Sequence, residues 1–310
     1  MSVTVLIPIR NGFRYLTALR NNLSSNLREL DEILVIDDGS DDGTPHFVED
    51  WAIADSRVKL IKNPNPGLAN ALNLGILNAK YSFIARLDVD DLITLERIEM
   101  QENFLSSEDV CAVFSDGWIM GEMNVVKGRI YSPILKPFIM LSLASNRRLP
   151  HSSVMFKKNC IIQVGGYSQQ MYPIEDLDLW IKVSEKYNVG SIDNPLIFYM
   201  RGGESVTSLN RTLMIEKRKK RIGTSEIIYD NYRYVLNDWF SLRKLIKLQE
   251  NYRIRLIYSL IDLIETSKHF PKLFRENRSL YFIIIFEIFN FYNIKAFYGV
   301  LRNIKSVRSD

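Results

Sequence analysis

Glu32-Ile33-Leu34-Val35-Ile36-Asp37-Asp38-Gly39-Ser40-Asp41-Asp42-Gly43-Thr44 runs from a β-branched apolar strand pattern through an acidic turn toward a helix. Asp and Gly favour the turn, because Gly39 tolerates backbone angles that other residues resist, and Thr44 suits the cap of a helix over Pro45–Ala54. The same unit repeats to either side. Apolar runs at Val3–Pro8, Val58–Ile61 and Phe83–Leu87 read as strands beside Glu32–Ile36, and the apolar spacing of Arg14–Asn26 and Leu68–Ala79 suits further helices. Such alternation predicts an α/β fold with a mostly parallel central sheet flanked by helices, in which ligands bind beyond the carboxyl ends of the strands. The chemically notable residues of this chain lie at those ends.

Beyond Asp91 a helix to about Leu105 is expected. A strand at Ala112–Ser115, a Pro/Gly-punctuated stretch from Pro133 to Tyr167, a helix over Glu175–Lys186 and a last strand at Pro195–Tyr199 follow. From Leu209 onward Gly and Pro are scarce and the pattern is helical. The expected division is therefore an α/β domain, 1–208, and a helical C-terminal region, 209–310, with the boundary near Glu204–Leu209. Charge follows the same division: residues 1–208 hold 20 Lys/Arg against 26 Asp/Glu, whereas 209–310 hold 20 against 10. A basic region of that kind suits an anionic partner, a membrane surface or nucleic acid. Within it, Leu280–Leu301 is rich in Phe, Tyr and Ile, but Glu287, Asn290, Asn293 and Lys295 interrupt it before about 20 apolar residues accumulate, which argues against a membrane span. Two readings stay open, a helix lying in a membrane interface and a core helix packed on the first domain or on a second copy of the chain.

A composition of 46% hydrophobic and 25% charged residues over 310 positions is that of a globular protein with a proper core, not of a disordered chain. Cys111 and Cys160 are the only cysteines and make neither a disulfide framework nor a metal cluster. The first strand begins at Val3 with no basic and apolar leader ahead of it, so a cytosolic location is expected.

Three acidic segments carry candidate chemistry. Asp37 and Asp38 follow the second strand, where a carboxylate can accept hydrogen bonds from a base or from ribose hydroxyls; the same residues serve equally as a turn and a cap. In Arg86-Leu87-Asp88-Val89-Asp90-Asp91, three carboxylates within four residues repel one another unless something positive lies between them. A hard cation, Mg2+ or Mn2+, answers that need with oxygen ligands from one or two carboxylates and a diphosphate. Glu175-Asp176 opens the helix containing Trp180, whose N-terminus favours ionised carboxylates, and an ionised carboxylate can act as a general base.

In order along the chain, Pro8-Ile9-Arg10-Asn11, Val35-Ile36-Asp37-Asp38-Gly39-Ser40, Gly67-Leu68-Ala69-Asn70-Ala71-Leu72-Asn73-Leu74-Gly75-Ile76, Ile84 to Asp91, and Glu175-Asp176-Leu177-Asp178-Leu179-Trp180 resemble the motifs of the inverting family 2 glycosyltransferases. The resemblance covers residues 1–208 and implies a GT-A fold. It implies transfer of a sugar from a nucleotide-diphosphate sugar, a UDP-sugar first among them, to an acceptor hydroxyl on a lipid-linked or growing surface glycan, as in bacterial polysaccharide and O-antigen assembly. Position by position, it places Pro8, Ile9, Arg10, Asp37, Asp38, Asn70, Arg86 and Asp88 by the nucleotide-sugar and Asp91 near the donor sugar. Asp90, with Asp88, becomes the metal ligand of a DxD motif. Asp176 becomes the catalytic base and Glu175 its orienting neighbour or an acceptor contact. His151, Trp180 and Arg201 are weaker candidates for the acceptor side or a closing loop; relatives often place a His and a Ser after the position of Arg201, whereas this chain reads Arg201-Gly202-Gly203-Glu204-Ser205. An anionic membrane surface on the cytoplasmic side and a second copy of the chain are further expected partners, and no nucleic acid is. A sugar-phosphate nucleotidyltransferase would need a Gly-rich, basic phosphate loop after the first strand, which Arg10-Asn11-Gly12-Phe13 does not supply. A non-catalytic nucleotide-sugar-binding or membrane scaffold with the same fold remains the alternative.

Overall fold

The four apolar runs at the start of the chain all pair with one another. The computed structural model describes residues 1–121, 125–133, 136–144, 149–200 and 211–237. In it, β1 (Val3–Ile9), β2 (Glu32–Asp37), β3 (Val58–Lys62) and β4 (Phe83–Arg86) lie in the order β3-β2-β1-β4, every ladder parallel. Side chains alternate across this sheet and divide the core in two. Val5, Ile7, Ile33 and Val35 meet α1 (Phe13–Asn26) and α2 (Thr44–Ala54) through Leu16, Leu19, Leu23, Val48 and Trp51. On the other face, Leu6, Leu34 and Ile36 meet α3 (Leu68–Asn78) through Ala69, Leu72 and Ile76. Both faces being covered explains why β1 and β2 are buried along their whole length.

The second half extends the sheet in the order β4-β8-β6-β9-β5, with β7 beside β6. Its elements are β5 (Leu92–Ile93), α4 (Arg97–Ser107), β6 (Ala112–Met120), β7 (Val126–Ile130), α5 (Lys136–Ala144), a single 3-10 turn at His151–Ser153, β8 (Met155–Lys157), α6 (Lys158–Gln163), α7 (Glu175–Lys186) and β9 (Val189–Met200). The long β6–β9 ladder is parallel, while β8 joins β4 and β6 antiparallel. The result is the expected α/β architecture, a mostly parallel central sheet flanked by helices.

Several elements depart from the sequence pattern for identifiable reasons. The helix expected straight after Asp91 starts at Arg97, because Leu92 and Ile93 first pair with Phe198 and Ile197 and the Asn22 side chain brackets the Ile93 backbone. Strands β6 and β9 outrun their apolar runs because each supplies the other's ladder, and Pro195 fits where the register shifts opposite Asp116. Thr44 does not cap α2. It is the first helical residue, Gly43 stands at the cap, and the Thr44 hydroxyl accepts the Gly12 N–H at 3.0 Å.

Past residue 208, α8 (Arg211–Gly223) and α9 (Glu226–Asn237) are helical as expected, and Ile222 and Ile228 belong to the same apolar cluster as Leu177 and Trp180 of α7. Three cations of α8 are spent inside the molecule. Lys217 Nζ donates to the carbonyls of Gln170 and Tyr172 at 2.6 and 2.8 Å, Arg218 to that of Leu143 at 2.6 Å, and Arg221 Nε to Asp178 at 2.8 Å. Arg201, the 204–209 boundary and the Leu280–Leu301 segment lie outside the described residues. Among the described residues no helix is long and apolar enough to cross a membrane.

Candidate active site

The loops after β1, β2 and β3 are tied together by side chains at their tips. Asn11, with φ of 52°, donates its N–H to Ser40 Oγ and accepts the Asp41 N–H on its own Oδ1, both at 2.9 Å. Gly39 takes φ of 82°, the left-handed turn for which a glycine is suited. Asp37, buried, accepts the Ser40 N–H at 3.1 Å. Asp38 accepts from the Gly67 N–H at 2.8 Å and from Asn63 Nδ2 at 2.6 Å, and so holds the loop ahead of α3. Asn70 donates to the carbonyl of Asn65 in that same loop at 3.1 Å. Pro8 and Ile9 are interior strand residues, and Arg10 is exposed at the strand end. The loops that carry these candidates therefore meet at one end of the sheet, with Asp38 acting chiefly as their brace.

The acidic cluster sits one strand away, at the end of β4. Arg86 is buried and reaches Asp88 with both terminal nitrogens at 2.5 Å. Burial opposes its charge most, but Asp88, Tyr167 and Asp91 together outweigh burial and hold the guanidinium above its ordinary range. Carboxylate oxygens of Asp88, Asp90 and Asp91 all lie within 4.8 Å of one another. Burial, then Asp88, raises the Asp90 carboxyl, and burial, then Asp88 and Asp90, pushes Asp91 up to about 8. Asp91 accepts the Met200 N–H on Oδ1 at 2.9 Å, while its buried Oδ2 has no hydrogen-bond partner among the described residues. Three hard oxygen donors converging in a partly buried setting, with one oxygen of Asp91 left without a partner, fit a divalent cation.

Beneath the cluster lies Arg97, fully buried, whose guanidinium donates to the Arg86 carbonyl at 2.8 Å and to Gln101 at 3.1 Å. Burial lowers it to about 9 against the pull of Asp91. The sequence reading missed this second arginine, which looks like an ordinary charge opening a surface helix.

The 3-10 turn links this cluster to α7. Ser152 Oγ accepts the Asp88 N–H at 2.8 Å, and the His151 ring lies between Trp180, whose Nε1 reaches His151 Nδ1 at 3.2 Å, and the Tyr167 hydroxyl, 3.1 Å from Nε2. Burial and the nearby Arg86 charge hold His151 well below the ordinary imidazole range, so it is neutral at physiological pH. Trp180 is a core ring, packed edge-on against Phe114 at 5.0 Å. Tyr167, also missed from sequence, is gripped by Asn73 of α3, whose amide accepts the Tyr167 N–H at 2.9 Å and donates to its carbonyl at 2.8 Å.

Glu175 and Asp176 open α7, Glu175 buried and Asp176 partly exposed, with Asp176 Oδ1 accepting the Leu177 N–H at 2.7 Å. Asp178, one residue beyond Leu177, is paired with Lys182 at 2.7 Å and Arg221 at 2.8 Å and anchors the helix. Burial raises the Tyr167 phenol strongly, Arg86 opposes it, and Asp176, Glu175 and Asp88 add to the rise. The phenol therefore stands within electrostatic reach of both carboxylate sets.

Comparisons with known proteins give the family and the fold. The sequence pattern of Glycosyl transferase family 2 matches residues 4–172. An uncharacterized glycosyltransferase of Haemophilus influenzae is 28% identical over 225 residues, 71% of this chain and 83% of that protein. An uncharacterized glycosyltransferase of Rickettsia conorii is 28% identical over 239 residues, 76% of this chain but only 37% of the longer relative. The Escherichia coli UDP-Gal:alpha-D-GlcNAc-diphosphoundecaprenol beta-1,3-galactosyltransferase is 28% identical over 183 residues, 58% of this chain and 66% of that one. Among solved structures, S. aureus TarS 1-349 in complex with UDP-GlcNAc aligns with a TM-score of 0.59 at 15% identity, over 86% of this chain and 81% of that one. The mannosyltransferase PcManGT from Pyrobaculum calidifontis, in complex with GDP-Man and Mn2+, aligns with a TM-score of 0.55 at 16% identity, over 86% and 85%.

Proposed function

This chain belongs to the family 2 glycosyl transferases, and from that premise we propose that it moves a sugar from a UDP-sugar to an acceptor hydroxyl with inversion at the anomeric carbon. The observation that carries the reading is the pairing of two carboxylate sets around one hydrogen-bonded turn. Asp88, Asp90 and Asp91 cluster beyond β4, Glu175 and Asp176 open α7, and His151 and Ser152 connect the two. In-line displacement needs that separation, because the leaving diphosphate and the attacking oxygen occupy opposite sides of the anomeric carbon.

Asp90, with Asp88, would hold Mn2+ or Mg2+, which when bound neutralises charge gathering on the leaving diphosphate. Asp38 keeps the loop at Gly67 in place for the nucleotide. Asp176 takes the proton of the acceptor hydroxyl as its oxygen bonds to the anomeric carbon and the bond to the diphosphate oxygen breaks. Glu175, buried beside it, orients the base. A lipid-linked or growing surface glycan is the acceptor we favour, on the strength of the lipid-diphosphate acceptor named for the E. coli relative. The basic residues of 238–310 would then hold the enzyme against the inner face of the membrane.

Thermal shift with Mn2+ and UDP, GDP and their sugar derivatives tests the donor class. Stabilisation by UDP compounds that requires Mn2+ is expected. Stabilisation by GDP compounds alone would move the donor to another nucleotide, and no response to any nucleotide would refute the reading.

A further inference from the structure

Trp180, His151 and Tyr167 form a chain whose polarity is fixed by its first member. An indole N–H can only donate, so the 3.2 Å contact from Trp180 Nε1 leaves His151 Nδ1 as an acceptor with no proton of its own. The imidazole then carries its hydrogen on Nε2, and the 3.1 Å contact runs from Nε2–H to the phenol oxygen of Tyr167. The phenol's own hydrogen has to point elsewhere. Among the described residues it meets no acceptor, although Tyr167 is only 3% exposed. An enclosed hydroxyl proton without a partner is costly unless a ligand accepts it.

Tyr167 is also held unusually firmly for a core residue. Both of its backbone polar groups are bonded to Asn73, and its ring packs edge-on against His151 with centroids 5.7 Å apart. The His151 that it meets is bonded to Trp180 of α7, and the adjoining Ser152 accepts the Asp88 N–H, which places the phenol beside the interval between the acidic cluster and the opening of α7. During in-line transfer the sugar fills that interval, with the diphosphate on one side of its anomeric carbon and the base on the other.

Resting on the glycosyl-transfer reading above, we propose that Tyr167 is a sugar-recognition residue whose phenolic O–H, its polarity set by Trp180 and His151, donates to an oxygen of the transferred sugar. Because the phenol oxygen already accepts from His151, Tyr167 serves a sugar oxygen held as an acceptor, a hydroxyl or a carbonyl. Filling the core needs only the ring, which phenylalanine supplies equally.

Tyr167→Phe keeps the ring and removes the proton. Calorimetric titration of the full-length protein and the variant with UDP, UDP-glucose, UDP-galactose and UDP-N-acetylglucosamine, each with Mn2+, separates the nucleotide from the sugar. The variant should bind UDP within about twofold of wild type and lose about tenfold in affinity for whichever UDP-sugar wild type binds best, the loss expected for one enclosed hydrogen bond. Unchanged affinity for that UDP-sugar overturns the role of Tyr167 and leaves the transfer reading standing. Equal losses for UDP and UDP-sugar also overturn it, because the hydroxyl then supports the pocket as a whole. If wild type binds none of these ligands, the UDP-donor reading falls and the assignment of Tyr167 falls with it. Nitrogen-15 NMR of His151 should show a bare Nδ1 and a protonated Nε2; the opposite tautomer would reverse the chain and overturn the proposal.

Discussion

Binding of Mn2+ should release a proton, and the release should vanish as the acidic cluster ionises. Asp91 is pushed up to about 8 by burial and by Asp88 and Asp90, so the metal-free cluster keeps a proton at pH 6 and gives it up as pH rises through about 8. Asp90 is raised as well, so the proton belongs to the Asp90–Asp91 pair. A cation seated among them has to displace it. Apparent Mn2+ affinity therefore climbs about tenfold per pH unit from pH 6, or about 1.4 kcal/mol per unit, and levels off above about pH 8. Stability follows from the same shift. A carboxyl raised in the folded state stabilises fully below its unfolded value near 4, and that contribution is lost as pH rises through about 8. Mn2+ should accordingly raise the Tm more at pH 8 than at pH 6. Isothermal calorimetry in two buffers of different ionisation enthalpy counts the protons, with about one released per Mn2+ near pH 6.5 and almost none at pH 9. Affinity that does not change between pH 6 and 8, or proton release that survives in Asp91→Asn, would rule out a proton held at Asp91.

Asp90→Ala should weaken Mn2+-dependent UDP binding at least about tenfold by calorimetry, yet leave the metal-free protein as stable or more stable at pH 8, since one like charge beside Asp91 is gone. Gly75→Ala should lower stability by about 1–3 kcal/mol in urea unfolding, because a Cβ there would stand 2.1 Å from Leu6 Cδ1, a fully buried side chain under α3. Truncation after residue 208 should leave a chain without a cooperative melt by circular dichroism, in contrast to a chain truncated after 237. The difference lies in Ile222, Ile228, Tyr232 and Val235, all buried in the helices that the shorter chain lacks.

The nucleotide half of the fold was legible because its information is local. Strands β1 to β4 are short apolar runs ended by Asp, Asn and Gly, and each pairs in parallel with a neighbour built the same way. The second half was less legible because its strands depend on distant partners. Leu92 and Ile93 become a strand only through Phe198 and Ile197, and Trp118 to Met120 only through β7 and β9. The acidic members of the site stood out as unusual clusters of like charge. Arg97, Asn73 and Tyr167 did not, since each is an ordinary residue for its local pattern and acquires its place only when α4, α3 and the loop before α7 converge on His151–Ser153. The basic composition beyond residue 208 suggested an anionic partner, but Lys217, Arg218 and Arg221 are used to brace α5, α7 and the loop between α6 and α7. Charge counting does not distinguish a cation facing solvent from one capping a carbonyl.

Separating donor binding from transfer tests the division of labour between the two carboxylate sets most directly. In Asp176→Asn the side chain keeps its size and its place at the start of α7 but cannot take a proton. With Mn2+ and the preferred UDP-sugar, donor affinity should stay within about twofold of wild type while turnover falls by about 100-fold or more, the usual contribution of a general base. Near-normal turnover in Asp176→Asn would contradict that division of labour.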